Sequence, residues 1–416
     1  MPRVLFALCA AFAFTLPLTV SAADWSQFRG PNQDGHADDA KLPTTWDKKT
    51  NVTWRTELAG NGWSSPAVAD GKIYLTAAVP GTGKGDHSLR TLCLSAKTGE
   101  IAWDVEVFKQ DGKAAPGIHS KNSHASPTAV VSDGEVFVHF GHMGTACLSA
   151  KDGKILWTQT TLKYTPVHGN GGSPVLAAGN LIFSIDGTDK QAIVALDRKT
   201  GKVAWSTDRK ASPRKAFSFS TPLLINVSGT EQLISLGSDV VMSLDPATGK
   251  EIWRVKYDGY SVVPKPVYGN GMVYFSTGYD TPVFYAVKVD GKGDVTKTHV
   301  AWTSKKGAPR NASPLLVGDS LYLADDNGLL TCLNAKNGGE RWNESIAKAF
   351  SGSPILAGGL IYLLDESGTT TVFKPGEAYD NVATNKIGER TLASFGVDGN
   401  ALLLRTDKAL YRIERK

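Results

Sequence analysis

The sequence has little net charge and lacks the motifs of several common protein classes, and each absence excludes a possibility. The 416 residues include 45 basic and 40 acidic side chains, which gives a formal charge of +5. No basic run is interleaved with aromatic residues, which argues against nucleic-acid binding. The chain has no phosphate-binding loop, dinucleotide fingerprint or G-x-S-x-G nucleophile motif. Glycine is frequent, with 43 residues, but it has no G-X-Y period, so the chain is not collagen-like.

The N-terminus has the pattern of a secretory signal peptide. Arg3 provides a positive charge, residues 4–20 form an apolar stretch, and residues 21–23 are small, as a cleavage site before Asp24 requires. The stretch is short for a membrane span and contains Pro17. Cys9 lies within it without the small residues of a lipoprotein cleavage site. We therefore predict that residues 1–23 are removed and that the mature protein is periplasmic or secreted, with no transmembrane anchor.

Tryptophan recurs at a nearly regular interval, which indicates a repeat architecture. Seven tryptophans, 40 to 54 residues apart, form the series Trp54, Trp103, Trp157, Trp205, Trp253, Trp302 and Trp342. Five of them stand four residues after a glycine, at Gly99, Gly153, Gly201, Gly249 and Gly338. Five residues before these glycines stand Leu94, Leu148, Leu196, Leu244 and Leu333. A strand ending near the leucine, a turn at the glycine and a strand carrying the tryptophan make a β-hairpin.

A second landmark opens each repeat and predicts another hairpin. Its eight copies are Ser65-Pro66, Ser126-Pro127, Ser173-Pro174, Thr221-Pro222, Lys265-Pro266, Ser313-Pro314, Ser353-Pro354 and a degenerate Ala393-Ser394. Apolar residues, a turn such as Asp70-Gly71 and an apolar pair such as Ile73-Tyr74 follow it. Two hairpins per repeat give four strands, and four-stranded repeats of about 45 residues form β-propellers.

The predicted fold is all-β: an eight-bladed β-propeller of four-stranded blades over residues 51–416, preceded by a lead-in segment over residues 24–50. The last repeat stops after three strands, at residues 409–413, and the seventh repeat has no tryptophan. We predict that the N-terminal strand around Trp54 completes the C-terminal blade. This pairing would close the ring and remove its free edges.

The three cysteines that follow the signal peptide occupy one position of the repeat. Cys93, Cys147 and Cys332 each stand six residues before a turn glycine, where other repeats have Ala195 and Ser243. A position that takes cysteine, alanine or serine is a tightly packed one. We therefore expect buried free thiols that bind no metal, with a Cys93–Cys147 bond as the alternative. The recurring tryptophans are likewise expected to pack blade against blade.

The loops that precede the innermost strands should meet at one mouth of the central channel. These loops contain Asn61, Trp63, Asn122, His124, His168, Asn170, Phe217, Phe219, Tyr260, Arg310, Asn311 and Phe350, and His119 lies in the insertion after the first blade. Such a mixture of groups suits a polar small ligand or a peptide carboxylate, although solvated loop tips share it. The predicted ligand site consists of Trp63, His119, Asn122, His124, His168, Asn170, Tyr260, Arg310 and Asn311.

Two groups of residues could suggest a metal, and neither has the spacing of an established site. His119, His124 and His168 could bind zinc or copper, but no acidic companion or second histidine at close spacing supports this. Hydrogen bonding between loops is the favoured interpretation. The segments 325–328 and 186–189 are rich in aspartate, but they lack the glutamate of a calcium-binding loop and fall where turns are expected. No metal ligand is assigned.

The repeated A-x-T-G-x-x-x-W element, the Ser-Pro openings and the exchange of terminal strands resemble the pyrroloquinoline quinone (PQQ) repeat propellers. The resemblance covers about residues 50–416. That family includes the quinoprotein alcohol dehydrogenases and BamB, a scaffold of outer-membrane protein assembly. The opening residues 25–32 are similar to the start of secreted bacterial PQQ-like proteins. The resemblance implies the fold, but function varies within the family.

Two departures from the dehydrogenases bear on activity. Dehydrogenases of this type are longer and use adjacent cysteines beside the quinone, and some carry a C-x-x-C-H haem motif. This sequence has neither the adjacent cysteines nor the haem motif. We therefore expect a non-catalytic binding or scaffold propeller without a cofactor. Its expected partners are a cell-envelope protein, a small polar ligand or a glycan, and it is expected to be monomeric. The alternatives are a PQQ- and calcium-dependent oxidoreductase and a polysaccharide-binding module.

Overall fold

The computed structural model describes residues 24–113 and 115–415. Within them the chain forms eight sheets, each built on four antiparallel strands, and two sheets have a fifth strand. The predicted eight-bladed β-propeller is confirmed. The one helical element of the described part is a 3₁₀ turn at Gly141–Met143, so no described helix could span a membrane. The predicted signal peptide, residues 1–23, lies outside the described residues.

The strands follow one another from the innermost to the outermost position of each blade. Before the first blade come β1 (His36–Ala37) and β2 (Val52–Glu57). Blade one contains β3 (Ala67–Ala69), β4 (Lys72–Pro80), β5 (His87–Ser95) and β6 (Ile101–Gln110). Blade two contains β7 (Val130–Ser132), β8 (Glu135–His139), β9 (Thr145–Ser149) and β10 (Ile155–Gln159). Blade three contains β11 (Val175–Ala177), β12 (Asn180–Asp186), β13 (Gln191–Asp197) and β14 (Val203–Asp208).

The middle of the chain repeats this order with one added strand. Blade four contains β15 (Leu223–Val227), β16 (Thr230–Gly237), β17 (Val240–Leu244) and β18 (Glu251–Lys256). Blade five contains β19 (Val267–Gly269), β20 (Met272–Ser276), β21 (Phe284–Lys288) and β23 (Val300–Ser304). Between its last two strands, β22 (Gly293–Asp294) pairs in parallel with β18 and so extends blade four. Blade six contains β24 (Leu315–Val317), β25 (Ser320–Ala324), β26 (Leu329–Asn334) and β27 (Glu340–Ser345).

The last two blades contain strands from both ends of the chain. Blade seven contains β28 (Ile355–Ala357), β29 (Leu360–Leu364), β30 (Thr369–Lys374) and β31 (Asp380–Lys386), and β1 pairs in parallel with β28. Blade eight contains β32 (Gly396–Asp398), β33 (Ala401–Arg405) and β34 (Ala409–Ile413), and β2 supplies its outermost strand. Val52 lies opposite Ile413, and Glu57 lies opposite Ala409. The predicted closure of the ring by the N-terminal strand is confirmed.

Adjacent blades are held together by the repeated tryptophan and the repeated turn glycine. The Trp157 indole lies on the turn of the next blade and donates from Nε1 to the Arg198 carbonyl at 2.8 Å. Gly201 in that turn has a φ of +69°, and a Cβ at this position would lie 2.5 Å from the indole. Glycine is therefore required both for the backbone conformation and for the contact. The predicted packing of the tryptophans between blades is confirmed.

Blade seven obtains from the lead-in segment the tryptophan that its own repeat lacks. Ala383 stands in β31 at the position where the other blades have tryptophan. It pairs with Val372 of β30, which in turn pairs with Tyr362 of β29. Trp46 stacks on Tyr362 with a centroid distance of 6.4 Å, and it is 4% exposed. Asn385 fixes this arrangement, because its side-chain oxygen accepts from the Trp46 backbone N–H at 2.8 Å. The lead-in thus completes the packing of blade seven.

The beginning of the lead-in segment crosses the central channel. The Trp25 carbonyl accepts from Val68 of blade one, and the Gly35 carbonyl accepts from Leu356 of blade seven. Between them, Gln33 contacts blades four and five: its side-chain oxygen accepts from the Leu224 backbone N–H at 3.3 Å and from Lys265 Nζ at 2.8 Å. Residues 25–36, which we call the plug, therefore close one end of the channel.

The cysteines lie where the repeat predicts. Cys93, Cys147 and Cys332 are in β5, β9 and β26, the third strands of blades one, two and six, and all three are buried free thiols. Burial raises the pKa of Cys147 to about 12, and it raises the pKa of Cys93 and of Cys332 to about 11. These thiols therefore remain protonated at neutral pH and behave as small apolar groups.

Removal of the closing strand should prevent the ring from forming. A chain that lacks residues 24–58 loses β2, Trp46 and the plug together. It should therefore aggregate or become protease-sensitive, and it should not form a compact monomer. A synthetic peptide of residues 24–58, added during refolding, should restore protease resistance. Size-exclusion chromatography with limited proteolysis measures both results. A compact, resistant monomer without the peptide would contradict closure by the N-terminal strand.

The contact between Lys265 and the plug predicts a pH-dependent stability. Burial, followed by the nearby positive charge of Arg29, lowers the pKa of Lys265 well below its ordinary value of 10.5. Between the folded-state pKa and 10.5 the unfolded chain binds a proton that the folded chain does not bind. The free energy of unfolding should therefore fall by up to about 1.4 kcal/mol for each pH unit that the pH decreases in this interval.

The substitution Lys265→Met removes this titration while nearly preserving volume. Its stability relative to the wild type should rise as the pH is lowered from 10 to 7, because only the wild type loses stability through the titration of Lys265. Chemical denaturation across this pH range measures the effect. Lys297→Met, at an exposed position, is the matched control and should change neither stability nor slope. Parallel pH profiles for Lys265→Met and the wild type would show that Lys265 does not titrate with a lowered pKa.

Candidate functional site

A cavity of about 390 Å³ lies in the channel, between the mouth loops and the plug. Phe28 of the plug forms part of its lining, together with residues from the loops of the surrounding blades. Because the plug crosses the channel below it, this is a pocket that opens at the mouth and not a continuous pore. A pocket of this size, with mixed aromatic and polar walls, is the kind of site that binds small molecules or single side chains.

A ring of hydroxyl groups surrounds the cavity close to the start of the innermost strands. Seven of the eight blades contribute one hydroxyl residue, and these residues are Ser65, Thr128, Ser173, Thr221, Ser313, Ser353 and Ser394. Each hydroxyl oxygen accepts from the backbone N–H of the ring residue in the preceding blade, as in Ser65 N to Thr128 Oγ1 at 2.9 Å. The ring therefore joins neighbouring blades around the channel.

The ring corrects two of the sequence landmarks. In blade two the equivalent of Ser65-Pro66 is Thr128-Ala129, not Ser126-Pro127, because Thr128 makes the ring bond and stands two residues before β7. In blade eight the equivalent pair is Ser394-Phe395, one residue later than Ala393-Ser394. Ser126 instead donates to Asn122 at 2.6 Å and fixes the loop above it. The Ser-Pro pattern was misleading in blade two because a second polar residue follows it.

The eighth ring position belongs to Lys265, which has no hydroxyl. Its backbone N–H donates to Ser313 Oγ at 3.0 Å, like the other members, but its side chain turns to Gln33 of the plug. The chain of hydroxyl acceptors is consequently interrupted between Thr221 and Lys265. The same residue thus connects the ring to the plug.

One side of the cavity is a continuous aromatic surface. Phe217 lies at its centre, with ring centroids 5.7 Å from His168, 5.9 Å from Phe219 and 5.6 Å from Tyr260. His119 extends the surface, with its centroid 5.5 Å from that of His168. Burial, followed by the proximity of His119, lowers the pKa of His168, so its imidazole is uncharged at neutral pH.

Three residues that line the cavity have a strained backbone. His168, Ser261 and Asp280 line the cavity, and their φ angles are +62°, +55° and +58°. Residues other than glycine in the left-handed region cost free energy and persist where the surrounding structure fixes them, commonly at binding sites. The Asn122 side chain supports one of them by donating to the His168 carbonyl at 2.7 Å.

A charged cluster lies beside Tyr260 at the mouth. Lys215 Nζ donates to the Tyr260 hydroxyl at 2.6 Å, lies 4.1 Å from the centroid of that ring and is 3.6 Å from an Asp280 oxygen. The Tyr260 hydroxyl in turn donates to Asp280. This hydrogen bond, assisted by Lys215, lowers the pKa of Asp280. Asp280 is therefore ionised at neutral pH and already has two partners.

The insertion that follows blade one is tied across the mouth. Lys121 bridges Asp326 of blade six at 3.1 Å and Glu366 of blade seven at 2.8 Å. Although burial opposes it, the Glu366 and Asp326 carboxylates raise the pKa of Lys121. Arg390 adds a bond to the Ser120 carbonyl at 2.7 Å. We call residues 115–122 the strap, because the segment leaves blade one and is bonded to blades six and seven.

The structure brings six of the nine predicted site residues to the cavity. Those that line it are Trp63, His119, Asn122, His168, Tyr260 and Asn311. His124 lies elsewhere, with its ring 4.4 Å from that of His87, and burial together with His87 lowers its pKa to about 4. Asn170 accepts from the Tyr164 hydroxyl at 3.3 Å, away from the cavity. Arg310 lies at the rim and donates to the Asp280 carbonyl at 3.1 Å.

The other mouth residues also divide between the cavity and the blades. Phe217 and Phe219 line the cavity. Asn61 forms an isolated bridge with Ala78, and Phe350 is buried within blades six and seven and bridges Asp365. Sequence reasoning missed Phe28, Lys121, Lys215, Ser261, Tyr279 and Asp280. Only Phe28 and Lys121 gave a signal, since they lie in the aromatic opening and in the His-rich insertion.

The arrangement of the histidines and aspartates does not form a metal site. Among the residues that the structure describes, no group of three or more His, Cys, Asp or Glu side chains could hold an ion. His119 and His168 adjoin each other, whereas His124 lies with His87. Asp325 caps the predicted turn by accepting from the Leu329 N–H at 2.9 Å. Asp186 is buried and pairs with Arg209 at 2.7 Å.

The bridge made by Lys121 predicts how firmly the strap is held. Lys121→Ala removes the cation from two partly buried carboxylates, so the backbone amides of residues 115–122 should exchange about fivefold faster. Hydrogen exchange measured by mass spectrometry tests this. Lys113→Ala, an exposed position in the same insertion, is the matched control and should leave exchange unchanged. Equal exchange in all three proteins would show that the bridge does not hold the strap.

Comparison with known proteins gives one family match and two curated relatives. The family model described as "Outer membrane protein assembly factor BamB" matches residues 92–293 and 294–384. The outer membrane protein assembly factor BamB of Moranella endobia is 25% identical over 268 residues, which is 62% of this chain and 61% of that protein. The dehydrogenase subunit of the quinone alcohol dehydrogenase of Gluconobacter oxydans is 23% identical over 261 residues, 59% of this chain and 31% of that protein. The chain thus spans less than two thirds of either relative.

Solved structures share the fold at low sequence identity. BamB from Moraxella catarrhalis has a TM-score of 0.61 at 14% identity, covering 88% of this chain and 97% of that one. A europium-containing methanol dehydrogenase has a TM-score of 0.68 at 11% identity, covering 94% and 91%. Because the family model covers well over half of the sequence, the chain belongs to the BamB family of PQQ-like repeat β-propellers.

Proposed function

We propose that the protein is an exported, non-catalytic binding or scaffold propeller of the cell envelope, which holds a protein segment or a small polar ligand in its mouth cavity. The observation that carries this proposal is the cavity itself, where aromatic and hydroxyl side chains from many blades meet above the plug. The strained backbone of three lining residues supports it further. The family match to an outer-membrane assembly factor and the N-terminal signal pattern favour the cell envelope as its location.

The main alternative is a quinone-dependent oxidoreductase, and it is motivated by the match to the Gluconobacter enzyme. The residues of the cavity do not fit a calcium-bound quinone. A calcium ion prefers several carboxylate and carbonyl oxygens, whereas Asp280 is the one carboxylate among the described lining residues and is bonded to Tyr260 and Lys215. We therefore derive no reaction through this cofactor. A polysaccharide-binding module, the second alternative, would use the same aromatic surface.

A comparison of two surfaces of the propeller tests the proposed binding role. The variant Phe217→Ala/Tyr260→Ala removes the centre of the aromatic surface, and it should lose most of the envelope material that the intact protein captures after cross-linking in a Gram-negative periplasm. Leu156→Ala, at an exposed apolar position on the outer strand of blade two, is the matched control and should capture as the wild type does. Equal capture by all three proteins would exclude the mouth as the binding surface.

An activity assay separates the proposal from the oxidoreductase. The purified protein, supplied with PQQ and calcium, should reduce no dye with alcohols or sugars. Dye reduction that is lost in the Trp63→Ala variant would instead assign catalysis to the cavity. A glycan array with the same variants would identify a polysaccharide-binding module.

A further inference from the structure

The hydroxyl ring presents hydrogen-bond donors to the cavity. All seven of its side chains line the cavity and are at most 7% exposed. Each oxygen already accepts a backbone N–H from the neighbouring blade. Within residues 24–113 and 115–415, no protein atom accepts a hydrogen bond from any of the seven hydroxyls at 3.5 Å or less. A hydroxyl group has one proton to donate, so these seven protons are available to a molecule in the cavity.

Two buried arginines place positive charge next to the ring: Arg405 has no charged partner among the described residues, and the Asp34 carboxylate acts on Arg29 only from beyond ion-pair distance. Arg29 of the plug donates to the Pro314 carbonyl at 2.9 Å and to the Pro354 carbonyl at 3.3 Å, immediately after two ring residues. Arg405 donates to the Ser64 carbonyl at 3.1 Å, immediately before Ser65. Both side chains are 2% exposed, and neither forms an ion pair with a described carboxylate within 4.0 Å.

Both arginines remain charged at neutral pH. Burial lowers the pKa of Arg29 to about 10 and the pKa of Arg405 to about 9. A buried charge that is satisfied only by carbonyl and hydroxyl dipoles attracts an anion more strongly than an exposed one, because water screens it less. The Asp280 carboxylate does not cancel this effect, since it lies at the rim and is paired with Lys215.

We propose that the hydroxyl ring is an anion subsite, which receives the carboxylate or phosphate group of a small organic ligand while the ligand's apolar body packs on Phe217, Phe219 and Tyr260. Convergent O–H donors beside arginine charge match an oxyanion, which accepts several hydrogen bonds and donates none. The aromatic surface directly above the ring matches a flat or chain-like apolar body. This inference rests on the proposed binding role of the cavity and specifies the ligand class.

Calorimetric titration of the mature protein with simple probes tests the anion subsite. Benzoate and phenyl phosphate combine an anionic group with an aromatic body, benzyl alcohol has the body without the charge, and inorganic phosphate has the charge without the body. We expect benzoate or phenyl phosphate to bind at least tenfold more tightly than benzyl alcohol and than inorganic phosphate. The tighter of the two distinguishes a carboxylate from a phosphate ligand. Equal affinity for benzyl alcohol and the anions, or no binding of any anion, overturns the proposal.

Substitutions at Thr221 test whether the ring provides the donors. Thr221→Val keeps the shape but removes the hydroxyl, so the affinity for the anionic probe should fall about tenfold, and Thr221→Ser should restore it. Thr207→Val is the matched control, because the Thr207 hydroxyl donates to the Gly249 carbonyl at 2.6 Å outside the cavity. An unchanged affinity in Thr221→Val overturns the proposal. Should Thr221→Val unfold, Thr221→Ser and Thr221→Cys provide the comparison, and equal affinity in these two also overturns it.

The outcomes separate this inference from the proposed function. If no anionic probe binds but envelope capture still depends on Phe217 and Tyr260, the anion subsite is wrong and the binding role stands. If the anionic probe binds through Thr221 but capture does not depend on the mouth, the cavity serves a small ligand and the scaffold role is wrong.

Discussion

The contact between an indole and the turn of the next blade is the interaction on which the rest of the structure depends. It occurs in the same form at five junctions: the tryptophan Nε1 donates to the carbonyl three residues before the turn glycine, at 2.8 to 3.4 Å. A side chain on that glycine would collide with the indole, so each residue requires the other. The contact fixes the angle between the two blades at each of these five junctions, and the ring closes when all eight angles between blades are set.

Where the repeat fails, other parts of the chain replace the missing contact. Blade seven has no tryptophan, and Trp46 from the lead-in stacks on Tyr362 in its place. Blade five lacks the glycine turn that would receive Trp253. Trp253 is instead fully buried, lies opposite Gly293 of β22 and donates from Nε1 to the Gln232 side-chain oxygen at 3.0 Å. These substitutions keep the ring closed, because a propeller with one open junction would expose both strand edges and apolar surface. The N-terminal lead-in is therefore an integral part of the propeller.

The sequence predicts the blades well and the cavity only in part, for a physical reason. The leucine, glycine and tryptophan that define a hairpin lie within about ten residues of one another, so their spacing is visible along the chain. The position of the strap depends on Lys121 and Asp326, which are 205 residues apart. His124 and His168 occupy comparable loops, but His124 turns to His87 and His168 to Phe217. Which way a loop residue faces is decided by such distant partners, and these leave no periodic pattern.

The hydroxyl ring joins the structural and the functional sides of the molecule. Its oxygens accept the backbone N–H groups that connect neighbouring blades, and the same side chains line the cavity. The geometry of these donors is consequently set by closure of the whole propeller and not by a local loop. Lys265 interrupts the ring, and its side chain bonds to Gln33 of the plug instead. Closing the channel and lining the cavity thus depend on the same ring of residues, so the floor of the cavity is held in place by the blades themselves.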